Sequence, residues 1–341
     1  MSWWHPDKFE NKRPYLFKRT EIIKQVRSFF DSEGFTEVDT PALQICPVMD
    51  THIHAFETDL KNVDLTLKRK MYLQTSPEFE MKKLLTAGMD RIYQLCHVYR
   101  NAEGTKRHSP EFTLLEWYRA GAGADYRAMM QDTQNLLRHI AQSQSITHFT
   151  QGKILCDPFT DWEKLTLCEA FDTYAGIKLE DHLEDIESFA AAIQAKGIRT
   201  APDDRWDDLF FRVMGEKIEP HLGMQRPTIL YDYPAAMASL SRRKPEDPRF
   251  AERFELYVCG IELCNAFSEL TDGQEQRARF EAEMALKNKL YGETYPPDEE
   301  FFRALDYGLP ESGGNALGID RLVMLTTGSQ DINQILWAPV A

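Results

Sequence analysis

At 341 residues and 43% hydrophobic content, the chain can bury a full core, as one large domain or two smaller ones. Its net charge of −14 leaves no basic footprint for nucleic acid, because a local Lys and Arg patch would work against the overall field. The opening MSWWHPDKFENKRPY has no apolar signal core, no apolar run approaches a membrane span, and the six cysteines (Cys46, Cys96, Cys156, Cys168, Cys259, Cys264) show neither a C-x-x-C pair nor zinc-finger spacing. A cytoplasmic protein with reduced core thiols is expected.

In chain order, the pattern predicts an amphipathic helix over Tyr15 to Glu33, with Ile22, Ile23, Val26, Phe29 and Phe30 on one stripe and Gly34 as its stop. A strand from Phe35 to Asp39 follows and runs into Thr40-Pro41. The next loop contains Asp50, His52 and His54. An H-x-H pair can bind a metal, but no spacing places a third ligand, so histidines on a solvated loop or substrate rim are the plainer expectation. Tyr72 to Thr75 reads as a strand, and Ser76-Pro77-Glu78 as the capped start of a helix from Phe79 to Ala87, Glu78 complementing its dipole.

Arg91 to Arg119 reads as a long β-hairpin with a polar loop from Asn101 to Pro110. Side chains two apart share a face. Gln94, Cys96, Val98 and Arg100 therefore point one way, and Phe112, Leu114, Glu116 and Tyr118 group on the return strand. Arg100 and Glu116 either pair with each other or serve a ligand, since unpaired buried charge is costly. Asp125 to Gln142 is expected to be a scaffold helix. Residues 150 to 225 read as a helical insertion, with a capping box at Thr166 to Glu169 and helical spacing from Arg205 to Ile218.

In RFELYVCGIELCNAFSELT, residues 253 to 271, Cys259-Gly260 can form a two-residue turn. That register pairs Val258 with Ile261, Tyr257 with Glu262 and Glu255 with Cys264. Glu255 and Glu262 then share a face, either around a nucleotide-borne Mg²⁺ or as two glutamates in solvent. Strict alternation turns Asn265 away, so bringing it to that face requires a bulge; Glu269 has no assigned place. Finally, GGNALGIDRLVML (313 to 325) reads as a Gly-rich strand feeding a helix with Asp320 and Arg321 in its first turn. It matches neither a dinucleotide fingerprint nor a P-loop, though Arg321 offers a fork to phosphate.

Together these stretches resemble the catalytic domain of class II aminoacyl-tRNA synthetases, most closely the lysyl type. Residues 15 to 41 look like its first motif, a dimer-forming helix and strand. The 91 to 119 hairpin looks like the second motif, and 313 to 325 like the third. The resemblance implies an α+β fold, an antiparallel sheet flanked by helices, spanning 15 to 341 with the insertion at about 150 to 225. Residues 1 to 14 are then a short tail, without the anticodon-binding domain that lysyl-tRNA synthetases have there. TSPE (75 to 78), RHSPEFTLLEWYR (107 to 119) and GIELCNAFSELTD (260 to 272) are especially similar to the paralogous branch that attaches β-lysine to a lysine of elongation factor P.

What the resemblance implies is amino-acid activation with ATP and Mg²⁺. Arg100 and Arg321 carry the catalytic charge. ATP is held by Arg100, Asn101, Ala102, Glu103, Arg107, His108, Ser109, Phe112, Glu262, Leu263, Gly318 and Arg321, and Mg²⁺ by Glu255 and Glu262. Ser76, Pro77, Glu78, Glu116, Tyr118, Asn265, Glu269 and Ala316 line the amino-acid pocket. The implied partners are (R)-β-lysine or lysine and elongation factor P, in a homodimer, with no tRNA and no membrane. Several glutamates suit a diamino acid, since an ion pair at 4 Å is worth about 4 kcal/mol at an effective dielectric near 20, before desolvation.

Lysyl-tRNA synthetases have glycine where Ala316 stands, and a methyl there is worth roughly 1–3 kcal/mol in discrimination. The chain departs from the family pattern at Ala102, where glutamate is usual, and at Ser109, where asparagine is usual. Either the loop shifts so that Glu103 substitutes, or adenine is held by stacking and backbone. A minimal lysyl-tRNA synthetase, an asparagine-type amide synthetase and a non-catalytic amino-acid-sensing paralogue are the alternative readings.

Overall fold

In the computed structural model, which describes residues 3–47 and 49–340, the chain builds around an eight-stranded mixed sheet. The strands are β1 (Thr36–Glu37), β2 (Leu43–Gln44), β3 (Glu57–Lys61), β4 (Leu67–Leu73), β5 (Arg91–Tyr99), β6 (Glu111–Ala120), β7 (Phe149–Gln151), β8 (Ile154–Cys156), β9 (Glu163–Thr166), β10 (Thr228–Pro234), β11 (Phe250–Val258), β12 (Ile261–Ser268) and β13 (Ser312–Gly318). The helices are α1 (Pro6–Ser32), α2 (Glu78–Thr86), α3 (Tyr126–Ser143), α4 (Leu167–Ala170), α5 (Ile186–Ala195), α6 (Trp206–Val213), α7 (Gly273–Tyr291), α8 (Glu299–Gly308) and α9 (Ile319–Thr327).

The main sheet runs β1-β5-β6-β13-β12-β11-β10-β9. The expected antiparallel pattern holds from β5 to β10, and the two outer pairs, β1 with β5 and β9 with β10, are parallel. One face packs against α1, α3 and α9 through Phe30, Leu136, Trp117, Phe254 and Val323, among others. The opposite face is framed at one side by α2, α7 and α8 and at the other by the helices α4 to α6 over Leu230, Tyr233 and Tyr257. Between these frames the sheet is open, and the site lies there.

Three expectations change. Residues 6–13 are helical, so the segment read as a tail belongs to α1, which Pro6 begins and Pro14 does not break. Residues 1 and 2 of that expected tail lie outside the described residues. The region from 150 to 225 is not all helical: β7, β8 and β9 fall within or overlap it, and its helices begin at the Thr166 capping box. Helix α2 starts one residue earlier than expected. Pro77 is its cap residue, while Ser76 Oγ accepts from Glu78 N at 3.3 Å.

The three stretches singled out in the sequence meet in a buried knot. Arg19 of α1 pairs with Asp320 in the first turn of α9 and donates to Thr113 Oγ1 of β6 at 2.7 Å; Thr113 N donates to Asp320 at 2.9 Å. Arg19 and Asp320 are both almost fully buried, so each charge depends on the other. This ties the strand bearing Phe112 to the helix bearing Arg321.

Candidate functional site

Strand β13 forms the floor. Its site-facing positions are Gly314, Ala316 and Gly318, opposite Tyr118, Glu116 and Leu114 of β6. Small residues between larger neighbours leave a furrow. A Cβ on Gly314 would collide with Tyr118 and Glu269, so glycine is required there for close approach.

The hairpin of β5 and β6 pairs Gln94 with Glu116, Cys96 with Leu114 and Val98 with Phe112, so the two groups expected from alternation lie on one face. The hairpin of β11 and β12 turns at Cys259-Gly260 as expected, Cys259 adopting φ 53°. Val258 pairs with Ile261 and Tyr257 with Glu262, but Leu256 then pairs with Cys264 and Glu255 with Asn265 rather than Cys264. A bulge leaves Leu263 as the extra residue. Its consequence is functional: Asn265 joins Glu255 and Glu262 on the site face.

Two cavities open on this face and meet. The first is lined by Ser76, Glu78, Glu116, Tyr118, Asn265 and Ala316, with Arg253, Phe267 and Gly314 and two loops above them. Pro77 and Glu269 stand outside its lining. The second is lined by Glu103, Arg107, His108, Ser109, Phe112, Glu262, Leu263, Gly318 and Arg321. Arg100, Asn265, Ala316 and Ile53 border both. Asn101 and Ala102 are not in either wall. Asn101 N instead donates to His54 O at 2.7 Å, and Ala102 takes φ 62°, a left-handed conformation that carries the chain on to Glu103 in the cavity wall.

Arg100 does not pair with Glu116. Its guanidinium lies 5.2 Å from the centre of the Phe112 ring, and its buried Nε has no partner among the described residues. Arg321 Nη1 donates to Glu262 O at 2.7 Å, and Nη2 approaches His108 Nε2 at 2.8 Å. His108 Nδ1 meets Thr105 Oγ1 at 2.8 Å, so a neutral ring accepts from Arg321 and donates to Thr105. Burial and then Arg321 hold the His108 pKa below its usual value, which keeps that ring neutral.

One end of the first cavity is acidic, with a lysine buried behind its wall. Lys82 of α2, 1% exposed, lies 2.5 Å from both Glu78 Oε1 and Glu269 Oε2. Burial alone would lower its pKa; Glu269 and Glu78 outweigh that and raise it. Glu116 Oε2 accepts from Tyr118 at 3.0 Å. Burial, and Glu78 beside it, push Glu116 up to about 8, and burial pushes Glu269 to about 8 despite Lys82. At this end of the cavity three carboxylates share one ammonium; of the two arginines in its wall, Arg253 is spent on Glu255 and Arg100 stands at the border with the second cavity.

Glu255 is heavily engaged, accepting from Arg253 at 2.7 Å, Tyr233 at 2.6 Å and Tyr257 at 2.8 Å. Glu262 keeps 42% of its side chain exposed, with Arg321 Nη1 3.5 Å from its carboxylate. Desolvation in the groove and then the Glu255 charge push Glu262 up, a state that a cation would relieve. His52 meets Tyr291 at 2.8 Å and His54 meets Glu293 at 2.8 Å, so the H-x-H pair holds its loop to the last residue of α7 and to the segment just beyond it. Among the described residues no cluster of three or more His, Cys, Asp or Glu could hold a metal, and no helix is long and apolar enough to cross a membrane.

Sequence reasoning missed Lys82, Arg253, Phe267 and Gly314. Lys82 is four residues after Glu78, a readable helical spacing, but its second partner, Glu269, comes from just beyond the end of β12. Arg253 holds Asn265 Oδ1 at 2.9 Å as well as Glu255, and only the bulged register brings those three together.

Residues 8–340 match the family model of class II tRNA synthetases (D, K and N). The chain is also similar to elongation factor P--(R)-beta-lysine ligase of Vibrio vulnificus (strain YJ016), 38% identical over 325 residues and 95% of each chain. The protein of that name from Vibrio cholerae serotype O1 is 38% identical over 95% of this chain and 94% of its own. That from Proteus mirabilis (strain HI4320) is 37% identical, with the same coverage. Because the match runs through all three stretches that build the paired cavities, the chain belongs to the class II tRNA synthetases of the D, K and N group.

Proposed function

We propose that this chain is an ATP-dependent ligase that activates (R)-β-lysine as an aminoacyl-adenylate and transfers it to a lysine side chain of elongation factor P. The observation that carries this reading is the meeting of an acidic cavity with an arginine- and aromatic-lined one at Arg100, Asn265 and Ala316. Support also comes from relatives of that name aligned over 95% of the chain.

In this reading the ammonium groups of the amino acid enter the cavity of Glu78, Glu116 and Asn265, and its carboxylate meets Arg100. Phe112 stacks on adenine, as it already does on Arg100, and Glu103 takes the adenine-contacting role of the family's usual glutamate. Arg321 holds the outer phosphates. The carboxylate oxygen bonds to the α-phosphorus as the bond to the β-phosphate oxygen breaks, releasing pyrophosphate. No enzyme nucleophile is needed, only alignment and charge neutralisation. A neutral lysine amine of the acceptor then attacks the mixed anhydride, releasing AMP and a proton.

Glu262, with Glu255 on the same face, would hold the Mg²⁺ of the nucleotide. Bound there, the ion supplies positive charge to the phosphates. The protein works as a homodimer in the cytoplasm, without tRNA. The acidic balance of −14 supports the last point.

The test is the intact mass of elongation factor P after incubation with the protein, ATP, Mg²⁺ and either (R)-β-lysine or α-lysine. One lysyl-sized increment, larger with β-lysine, is expected. An unmodified acceptor beside tRNA charged with α-lysine would overturn the reading.

The pH dependence of activation follows from the site. Glu116 and Glu269, raised to about 8, retain a proton in the free cavity at lower pH, and a diammonium ligand displaces it. KM for the amino acid should therefore fall about tenfold from pH 6.5 to 8.5 while KM for ATP stays level. A flat amino-acid KM would show that these carboxylates are already ionised.

A further inference from the structure

Helix α7 has a polar face directed at the two loops above the first cavity. One loop contributes Met49, Asp50 and Ile53; the other contributes Met237 to Ser241. Glu283 reaches both. One carboxylate oxygen accepts from Thr51 N at 3.2 Å and from the Thr51 hydroxyl, and the other accepts from Ser239 Oγ at 2.8 Å. One turn on, Lys287, fully buried, donates to Thr51 O at 2.9 Å and Ile53 O at 2.7 Å. One turn back, Arg279 donates to Ala238 O at 2.6 Å and Ser241 O at 2.9 Å, and Gln276 to Ser239 O at 3.0 Å.

None of these four side chains lines the cavity, and the carbonyls and hydroxyls they hold belong to segments that do. A buried lysine spent on two carbonyls of one loop is an expensive way merely to fill space. We infer that Glu283 and Lys287 are positioning residues that fasten the two loops into a single roof over the amino-acid cavity, so that the loops order together and set how tightly the amino acid is held. From the proposed function this takes only that the first cavity holds the amino acid. Glu283 is the coupling point, because its two oxygens bind different loops; Lys287 fixes Ile53 at the boundary of the two cavities.

The test has two arms. Backbone hydrogen exchange is measured on the full chain in Ser239→Ala, which removes a contact of the second loop alone. Faster exchange at 49–54 as well as 237–241 is expected. A change confined to 237–241 would overturn the coupling. In the second arm, Glu283→Gln preserves shape and should raise KM for the amino acid about tenfold, with KM for ATP within about twofold, in pyrophosphate exchange. Glu283→Asp, which keeps the charge, should recover part of the loss. Equal effects on both substrates would make Glu283 a general scaffold residue. Hydrogen exchange needs no reaction, so it is decided even if no amino acid is activated.

Discussion

Arg100→Ala should lower amino-acid-dependent pyrophosphate exchange by about 10³-fold without unfolding the protein, on the scale set by removing one preorganised donor from a developing anion. Arg100 borders both cavities, and its Nε is buried without a partner among the described residues, so the side chain keeps a donor in reserve for a ligand. Its orientation comes from the Phe112 ring below it, a contact that costs no donor. Arg100→Lys retains the charge but not the planar fork that spans two anionic groups, and should recover no more than about tenfold of the loss. Circular dichroism and melting temperature should match the parent, because among the described residues no carboxylate pairs with Arg100 in the way that Asp320 pairs with Arg19. Full exchange activity in Arg100→Ala would place the reacting carboxylate elsewhere.

How far the sequence reveals this site depends on how local each determinant is. The β5 and β6 hairpin was legible because strict alternation fixes which side chains share a face. The turn at Cys259-Gly260 was legible for the same reason. The bulge at Leu263 was not, since an extra residue in a strand leaves no mark in the alternation before it; the register of Glu255 came out one residue off in consequence. Helix α7 escaped for a different reason. Its buried face mixes Gln276 and Lys287 with Phe280 and Met284, so no apolar stripe announces it. Its polar residues are buried against loop carbonyls far away in sequence. Similarly, Pro14 reads as a boundary, yet α1 continues through it. The role of Glu269 depends on Lys82, and nothing within either segment signals the pairing.

Lys82→Met should cost stability as well as substrate affinity, in a way that reports the charge balance of the cavity. The ammonium stands between Glu78 and Glu269, and losing one partner from a buried ionic cluster typically costs about 3–5 kcal/mol. In the variant, the carboxylates of Glu269 and Glu116, already raised to about 8, should rise further, because burial and mutual repulsion act without a counter-ion. A carboxyl whose pKa is raised in the folded state binds more protons folded than unfolded, so stability falls as pH climbs above the ordinary carboxylate value. The melting-temperature gap between parent and variant should therefore be level from pH 5 to about 7 and widen as pH passes about 8, where the parent carboxyls ionise and those of the variant still hold their protons. Lys82→Arg, which keeps the charge in a site with no spare room, should lie between them. Amino-acid KM should rise by about 100-fold in Lys82→Met at pH 8, since Glu78 and Glu269 lose the anchor that fixes their positions while ATP binding stays with the second cavity. A gap independent of pH would mean that Lys82 contributes packing alone, and that the cavity's acidity is set by Glu116 without it.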